Sequence, residues 1–133
     1  MRGQKLFIRP IESADREAIL HFLHEQSGAL EVPACGLLGK LLGRLVAVVA
    51  MEITADAIQI DNIVVDRELR RKGIGRVMLD EVEQIGAKMD RGRLIAGQAA
   101  VAQEFFSRVG FEREGARWIR QVRSQGAQQR ATR

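Results

Sequence analysis

The chain has 133 residues, 46% of them apolar and 29% charged, with a formal net charge of +4. That length suits one domain with a real core, and that composition excludes a disordered or fibrous chain. The charge is unevenly placed: residues 117–133 hold five arginines and no acid, while the rest sets 16 basic side chains against 17 acidic ones. A near-neutral body with 5% aromatic residues argues against a broad nucleic-acid-binding face. No apolar run reaches transmembrane length, and the N-terminus lacks the apolar segment of a signal peptide. With one cysteine, Cys35, no internal disulfide can form, so a reducing cytoplasm is the expected compartment. Cys35 itself reads as a small buried or loop residue, and with two histidines at unrelated spacing it makes no zinc site.

In chain order, residues 5–9 (KLFIR) predict a short strand stopped by Pro10, which lacks a ladder donor. Ser13 is the expected helix cap, with Asp15 and Glu17 in the first turn, where the helix dipole favours acids. Ala18, Ile19, Phe22 and Leu23 then share one face, and Gly28 is the natural breaker. Residues 36–42 and 45–53 predict a hairpin around Gly43-Arg44. Residues 54–56 make the next turn.

The strand over 57–65 breaks alternation: its apolar positions are 58 and 60, then 63 and 65. A bulge near Asp61-Asn62 restores the phase; burial of 63–65 on both faces is the other explanation. From Gly73, Ile74, Val77, Met78, Val82 and Ile85 recur at helical spacing until Gly86. Residues 93–96 predict a strand, and 99–109 a helix with Ala102, Phe105, Phe106 and Val109 inward, ended by Gly110. Residues 112–115 and 117–122 predict a closing hairpin with Trp118 as its aromatic anchor. One domain therefore spans 1–123, and the Gln/Arg-rich stretch 124–133 reads as a disordered basic tail.

The chemistry concentrates at Arg70-Arg71-Lys72-Gly73-Ile74-Gly75-Arg76, where a strand hands over to a helix. Glycines admit a close ligand, and the first helical amides have no internal partner. Those amides, the dipole and the basic side chains together favour a phosphate-like anion. The dinucleotide fingerprint fails because Met78 stands where its third glycine belongs, and no Gly-Lys-Ser/Thr triplet supports a P-loop.

Arg70-x-x-Gly73-x-Gly75 after a Val-Val strand end resembles motif A of the GNAT N-acetyltransferase superfamily. Ala102 to Phe111 (AQEFFSRVGF) resembles the A-x-x-F-Y-x-x-x-G-F segment of the same family. The resemblance implies the α/β GNAT fold, a central mixed and splayed sheet with helices on both faces. The family usually places two helices between its first two strands. This chain has room for one, so its N-terminal helical region is truncated, leaving the acceptor site open or completed by another subunit.

The same resemblance implies acetyl-CoA as co-substrate, no metal, and direct acetyl transfer to a primary amine in a ternary complex. The acceptor would be a small molecule or a protein N-terminus, and homodimers are common in the family. Cofactor binding would fall to backbone along Ile63, Val64 and Val65 and to Arg70, Arg71, Lys72, Gly73, Ile74, Gly75 and Arg76. An amide along 63–65 would also stabilise the developing oxyanion. The family's glutamate base falls on Gln59, which cannot take a proton. Asp61, two residues on, is the candidate base, with Glu52 second; His21 and His24 read as surface residues. The family's tyrosine acid falls on Phe106, in a chain with no tyrosine, and its asparagine on Ala99. A second reading stays open beside the enzyme: a catalytically weak or inactive acetyl-CoA-binding GNAT-like module that regulates a protein partner. Nucleic acid and membrane are not expected partners.

Overall fold

The computed structural model describes residues 5–28, 31–97 and 103–123. The predicted tail and residues 98–102, with Gln98, Ala99 and Ala102, lie outside them. The described residues form a seven-stranded sheet in the order β1-β2-β3-β4-β5-β7-β6. Its strands are β1 (Phe7–Pro10), β2 (Gly36–Leu41), β3 (Arg44–Ile53), β4 (Ala57–Val65), β5 (Arg93–Gly97), β6 (Glu112–Glu114) and β7 (Arg117–Gln121). Helices α1 (Arg16–Ser27), α2 (Ile74–Lys88) and α3 (Gln103–Arg108) fall between β1 and β2, β4 and β5, and β5 and β6. The order of elements is the expected one. Among the described strands the β4–β5 pair is parallel and the others are antiparallel. This parallel pair is bridged by α2, because a parallel connection needs a crossover element.

Two cores flank the sheet. On one face α2 buries Ile74, Met78, Leu79 and Val82 against β2, β3, β4 and β5, with Phe106, Val109 and Phe111 closing the end. On the other, Ile19, Phe22 and Leu23 of α1 pack on Leu38, Val48 and Val64. The expected apolar faces need small rotations. Val77 is 45% exposed, whereas Leu79 is fully buried, so the inward stripe of α2 runs one residue further round than the apolar spacing suggests. Ala18 is likewise exposed.

Three local expectations are corrected. The entry to α1 is not capped by Ser13; Ser13–Asp15 form a short 3-10 turn whose cap is Glu12, paired reciprocally with Asp15. Arg9 grips both oxygens of Asp15 at 2.7 Å, which fastens that turn to β1. The β2–β3 hairpin turns at Leu42-Gly43 (φ 52° and 79°), with Arg44 already in the strand. A two-residue turn with both central φ positive matches the twist of its strands, and that requirement outweighs the exposure of Leu42. The helix begun at Ile74 passes Gly86 and ends at Lys88.

The phase break in β4 is a bulge. Ala50 pairs with Asn62 and Met51 with Ile60, leaving Asp61 as the extra residue. Before it, Ile58 and Ile60 face α2; after it, Ile63 and Val65 do, and Val64 turns to α1. One extra residue shifts a period-two pattern by one place, so the apolar positions change parity there.

Candidate active site

The site forms where β4 and β5 part. They pair from Ala57 with Arg93 to Ile60 with Ala96, and among the described residues, 61–65 of β4 have no partner on β5. The unpaired edge begins at the bulge and runs to Val65, where the chain leaves for α2. Asp66 fixes that exit: its N–H donates to Val46 O at 2.8 Å, and its carboxylate accepts from Glu68 N–H and from Arg44, at 2.9 and 2.7 Å. Burial pushes the Asp66 carboxyl up, but these two donors outweigh it and hold the group below its ordinary value.

The turn that follows is built for close approach. Gly73, at φ 84°, caps α2 from the left-handed region that suits glycine, and no side chain caps the helix. The amides of Ile74, Gly75 and Arg76 precede the first intrahelical bond, Val77 N–H to Gly73 O at 3.1 Å. The first turn contains no acid to compete for them. Arg71 also has a positive φ, 67°, uncommon for a side-chain-bearing residue and a local strain at this turn.

A cleft of about 710 Å³ opens over these amides. Ile63, Val65, Leu69, Ile74, Phe105 and Val109 wall it with apolar surface. Arg70, Arg71, Arg76 and Arg108 surround it with positive charge, and Gly73 and Gly75 leave backbone exposed within it. Gly75 is held by packing as well: a Cβ there would meet Cε1 and Cζ of the Phe105 ring at 3.0 Å. The cleft is amphipathic, apolar along the strand edge and cationic at the helix end.

The predicted binding residues therefore converge, with two distinctions. Val64 is buried against α1 and does not line the cleft, so only its backbone faces the unpaired edge. Lys72 is exposed on the turn and is not a lining residue. Two arginines are partly committed to backbone: Arg70 Nε donates to Val65 O, and an Arg76 guanidinium nitrogen donates to Arg108 O, both at 3.2 Å. The amide of Ile63 donates to Asn62 Oδ1 at 2.9 Å, so the second amide after the bulge is held by a side chain. Sequence reasoning missed Asn62, Leu69, Phe105 and Arg108. Leu69 and Arg108 arrive through tertiary packing alone, but Phe105, next to the tyrosine position, carried a local signal.

On the face away from α2, Glu52, Gln59 and Asp61 gather beside the bulge. Glu52 is opposite Gln59 in the β3–β4 ladder, and the Gln59 amide donates to Asp61 Oδ1 at 3.4 Å. All three are exposed. His21 and His24 are surface residues of α1, and His21 lies 3.5 Å from Glu25. Phe106 is fully buried, edge-on to Phe111 with ring centres 5.1 Å apart. It serves the core. Cys35 is exposed in the segment before β2.

Residues 39–122 match the model of the GNAT acetyltransferase domain. The chain belongs to the GNAT acetyltransferase family. Its match covers the cleft, the bulge and both motifs. No curated protein matches the chain. Among solved structures, the ribosomal-protein-S18-alanine N-acetyltransferase from Escherichia coli is similar with a TM-score of 0.76 at 16% identity, over 89% of this chain and 94% of that one. A GNAT family N-acetyltransferase (YhbS) from Escherichia coli, solved in complex with CoA, gives 0.73 at 15% identity, over 92% of this chain and 84% of that one. The PaiA N-acetyltransferase from Thermoplasma acidophilum, in complex with coenzyme A, gives 0.70 at 17%, over 86% and 96%. At these identities the likeness is one of fold: this GNAT domain has the mixed sheet, splayed at β4–β5, that the two motifs implied. No described helix is long and apolar enough to cross a membrane.

Proposed function

We propose that this GNAT domain transfers the acetyl group of acetyl-CoA to a primary amine by direct attack. The observation that carries the reading is the start of α2 at Gly73, with no side-chain cap, opening into a cleft walled on its other side by Ile63 and Val65 of β4. A pyrophosphate suits the helix end, where free amides, dipole and arginines act together. A long amide-bearing arm suits the strand edge, which offers backbone groups on one side and Ile63, Val65 and Phe105 on the other. Two structural relatives bound to CoA support the same ligand. Acetyl-CoA would supply the activated thioester, and no metal is required.

The chain's own part is to orient and to move a proton. Asp61, exposed at the bulge on the face away from α2, is the carboxylate we assign to receive the acceptor's proton, with Glu52 across Gln59 as the nearest substitute. A lysine-like amine, of pKa about 10.4, needs such a base; an α-amino group near 8 needs far less help. We favour the α-amino group, of an amino acid or of a protein N-terminus, because Gln59 leaves a single acid on this part of β4. With Phe106 sealed in the core, the departing thiol, of pKa about 8.5, leaves as thiolate and takes its proton from water. A general acid is typically worth about 10²–10⁴-fold, so slow turnover is expected.

The buried Phe106 also favours a second reading, a module that binds acetyl-CoA and regulates a partner protein. Calorimetry with CoA and acetyl-CoA, beside a thiol-release assay over a panel of amines and N-terminal peptides, separates the two. Binding with amine-dependent release of CoA establishes the transferase. Binding without release on any acceptor leaves the module. Neither ligand binding removes both readings. Asp61→Asn should shift the pH profile of kcat/KM to higher pH, and an unchanged profile would release Asp61 from its role.

A further inference from the structure

We infer that Arg120 is a positioning residue for the cleft: from β7 it holds the end of α3 at a set distance from the first turn of α2. This rests on reading the cleft as the acetyl-CoA site.

Among the described residues α3 spans Gln103–Arg108, and the place of its C-terminal end depends on what grips it. It carries Phe105 and Arg108 into the cleft, and Val109 follows directly. Two guanidinium groups hold the carbonyls at its C-terminal end, which a helix leaves without internal donors. Arg76, in the first turn of α2, donates to Arg108 O. Arg120, arriving from β7, donates to Val109 O at 3.0 Å.

Arg120 is anchored on its other sides. Its Nε donates to Glu83 Oε1 at 2.9 Å, and a terminal nitrogen reaches Asp80 Oδ1 at 3.0 Å and Glu83 Oε1 at 2.6 Å. Glu83 is 7% exposed, and its second oxygen accepts the Arg123 backbone N–H at 3.2 Å. One side chain thus ties β7, α2 and the end of α3 together, and only the planar fork of arginine spans those acceptors at once.

Arg120 does not line the cleft. It borders a second cavity of about 590 Å³, which shares Arg76, Arg108 and Val109 with the cleft. Arg120 therefore acts on a bound ligand through α3. When its bond to Val109 O is lost, the Phe105 ring and the Arg108 side chain lose their fixed spacing from the amides at Gly73–Arg76. Ligand affinity falls while the reacting face of β4 is untouched.

The test uses two variants of the full chain. Arg120→Lys keeps the charge beside Glu83 but cannot span to Val109 O. Arg120→Met with Glu83→Met removes both charges together, the substitution that most often preserves a fold when a buried ion pair is taken out. Urea unfolding shows which variants fold, and calorimetry reads their affinity for CoA. The expected result is a rise of about tenfold in Kd, the scale of one lost charge-assisted hydrogen bond. The KM for acetyl-CoA should rise in parallel, with kcat at saturation unchanged. Arg120→Lys should fall between wild type and the double variant. Folded variants that bind CoA like the wild type would overturn the inference and leave the cleft's reading intact. A fall in kcat with KM unchanged would also overturn it. Wild-type protein that takes up no CoA would remove the cleft's reading and this inference with it.

Discussion

Gly75→Ala is the sharpest probe of the cleft, because two opposing effects meet there and the freedom of the Phe105 ring decides between them. Alanine in a helix is favoured over glycine by roughly 0.5–1 kcal/mol. The new Cβ would lie 3.0 Å from two atoms of the Phe105 ring, several tenths of an ångström inside ordinary contact. Overpacking of that kind costs about 1–3 kcal/mol. The balance is a net loss of about 0–2.5 kcal/mol, or a ring displaced into the cleft at the cost of ligand affinity. Phe105→Ala should relieve it, and a double-mutant cycle on urea-unfolding free energies should show a coupling of about 0.5–3 kcal/mol between the two sites. Calorimetry with CoA on the same four proteins reads the second consequence. A Gly75→Ala protein more stable than wild type by the helix-propensity increment, with unchanged CoA affinity and no coupling to Phe105, would refute the packing argument.

Three further outcomes follow from single features. Burial pushes the Glu83 carboxyl up, but the Arg123 amide and the Arg120 guanidinium outweigh it and hold it below its ordinary value. Its contribution to stability is therefore complete above the unfolded pKa, near 4.3, and disappears as pH falls through the folded value. Urea midpoints measured from pH 7 downward should show Glu83→Gln with a shallower acid limb, and a limb parallel to wild type would discount the pair. On α2, Met78→Ala should cost about 2–5 kcal/mol, while Val77→Lys should change stability by less than about 0.5 kcal/mol; equal costs would misplace the buried stripe. At the hairpin tip, Leu42 is 84% exposed at φ 52°, so Leu42→Asn should raise stability by about 0.5–1 kcal/mol in thermal unfolding, and a loss there would contradict the turn geometry.

The order of elements, the bulge and the glycine-bearing start of α2 were all legible in the chain because each is written in local chemistry. A parity change between Ile60 and Ile63 can be repaired by one extra residue, and the structure puts it at Asp61. Glycines after a strand end and before an apolar helical stripe mark a helix start that a ligand can approach. The family resemblance rested on the same few residues.

Tertiary structure alone decided the rest. Helix rotation depends on which ridge meets the sheet, so Val77 faced outward and Leu79 inward although their types do not differ in hydrophobic character. The width of the cleft depends on where a six-residue helix comes to rest. That is set by Arg76, by Arg120 and by a phenyl ring against Gly75. Arg120 and Glu83 stand 37 residues apart in the chain, so their partnership appears in no local pattern. Sequence therefore determined the chemistry that the turn presents, since free amides and charge are properties of short segments. The fold determined the spacing across the cleft, since distance between segments is a property of packing.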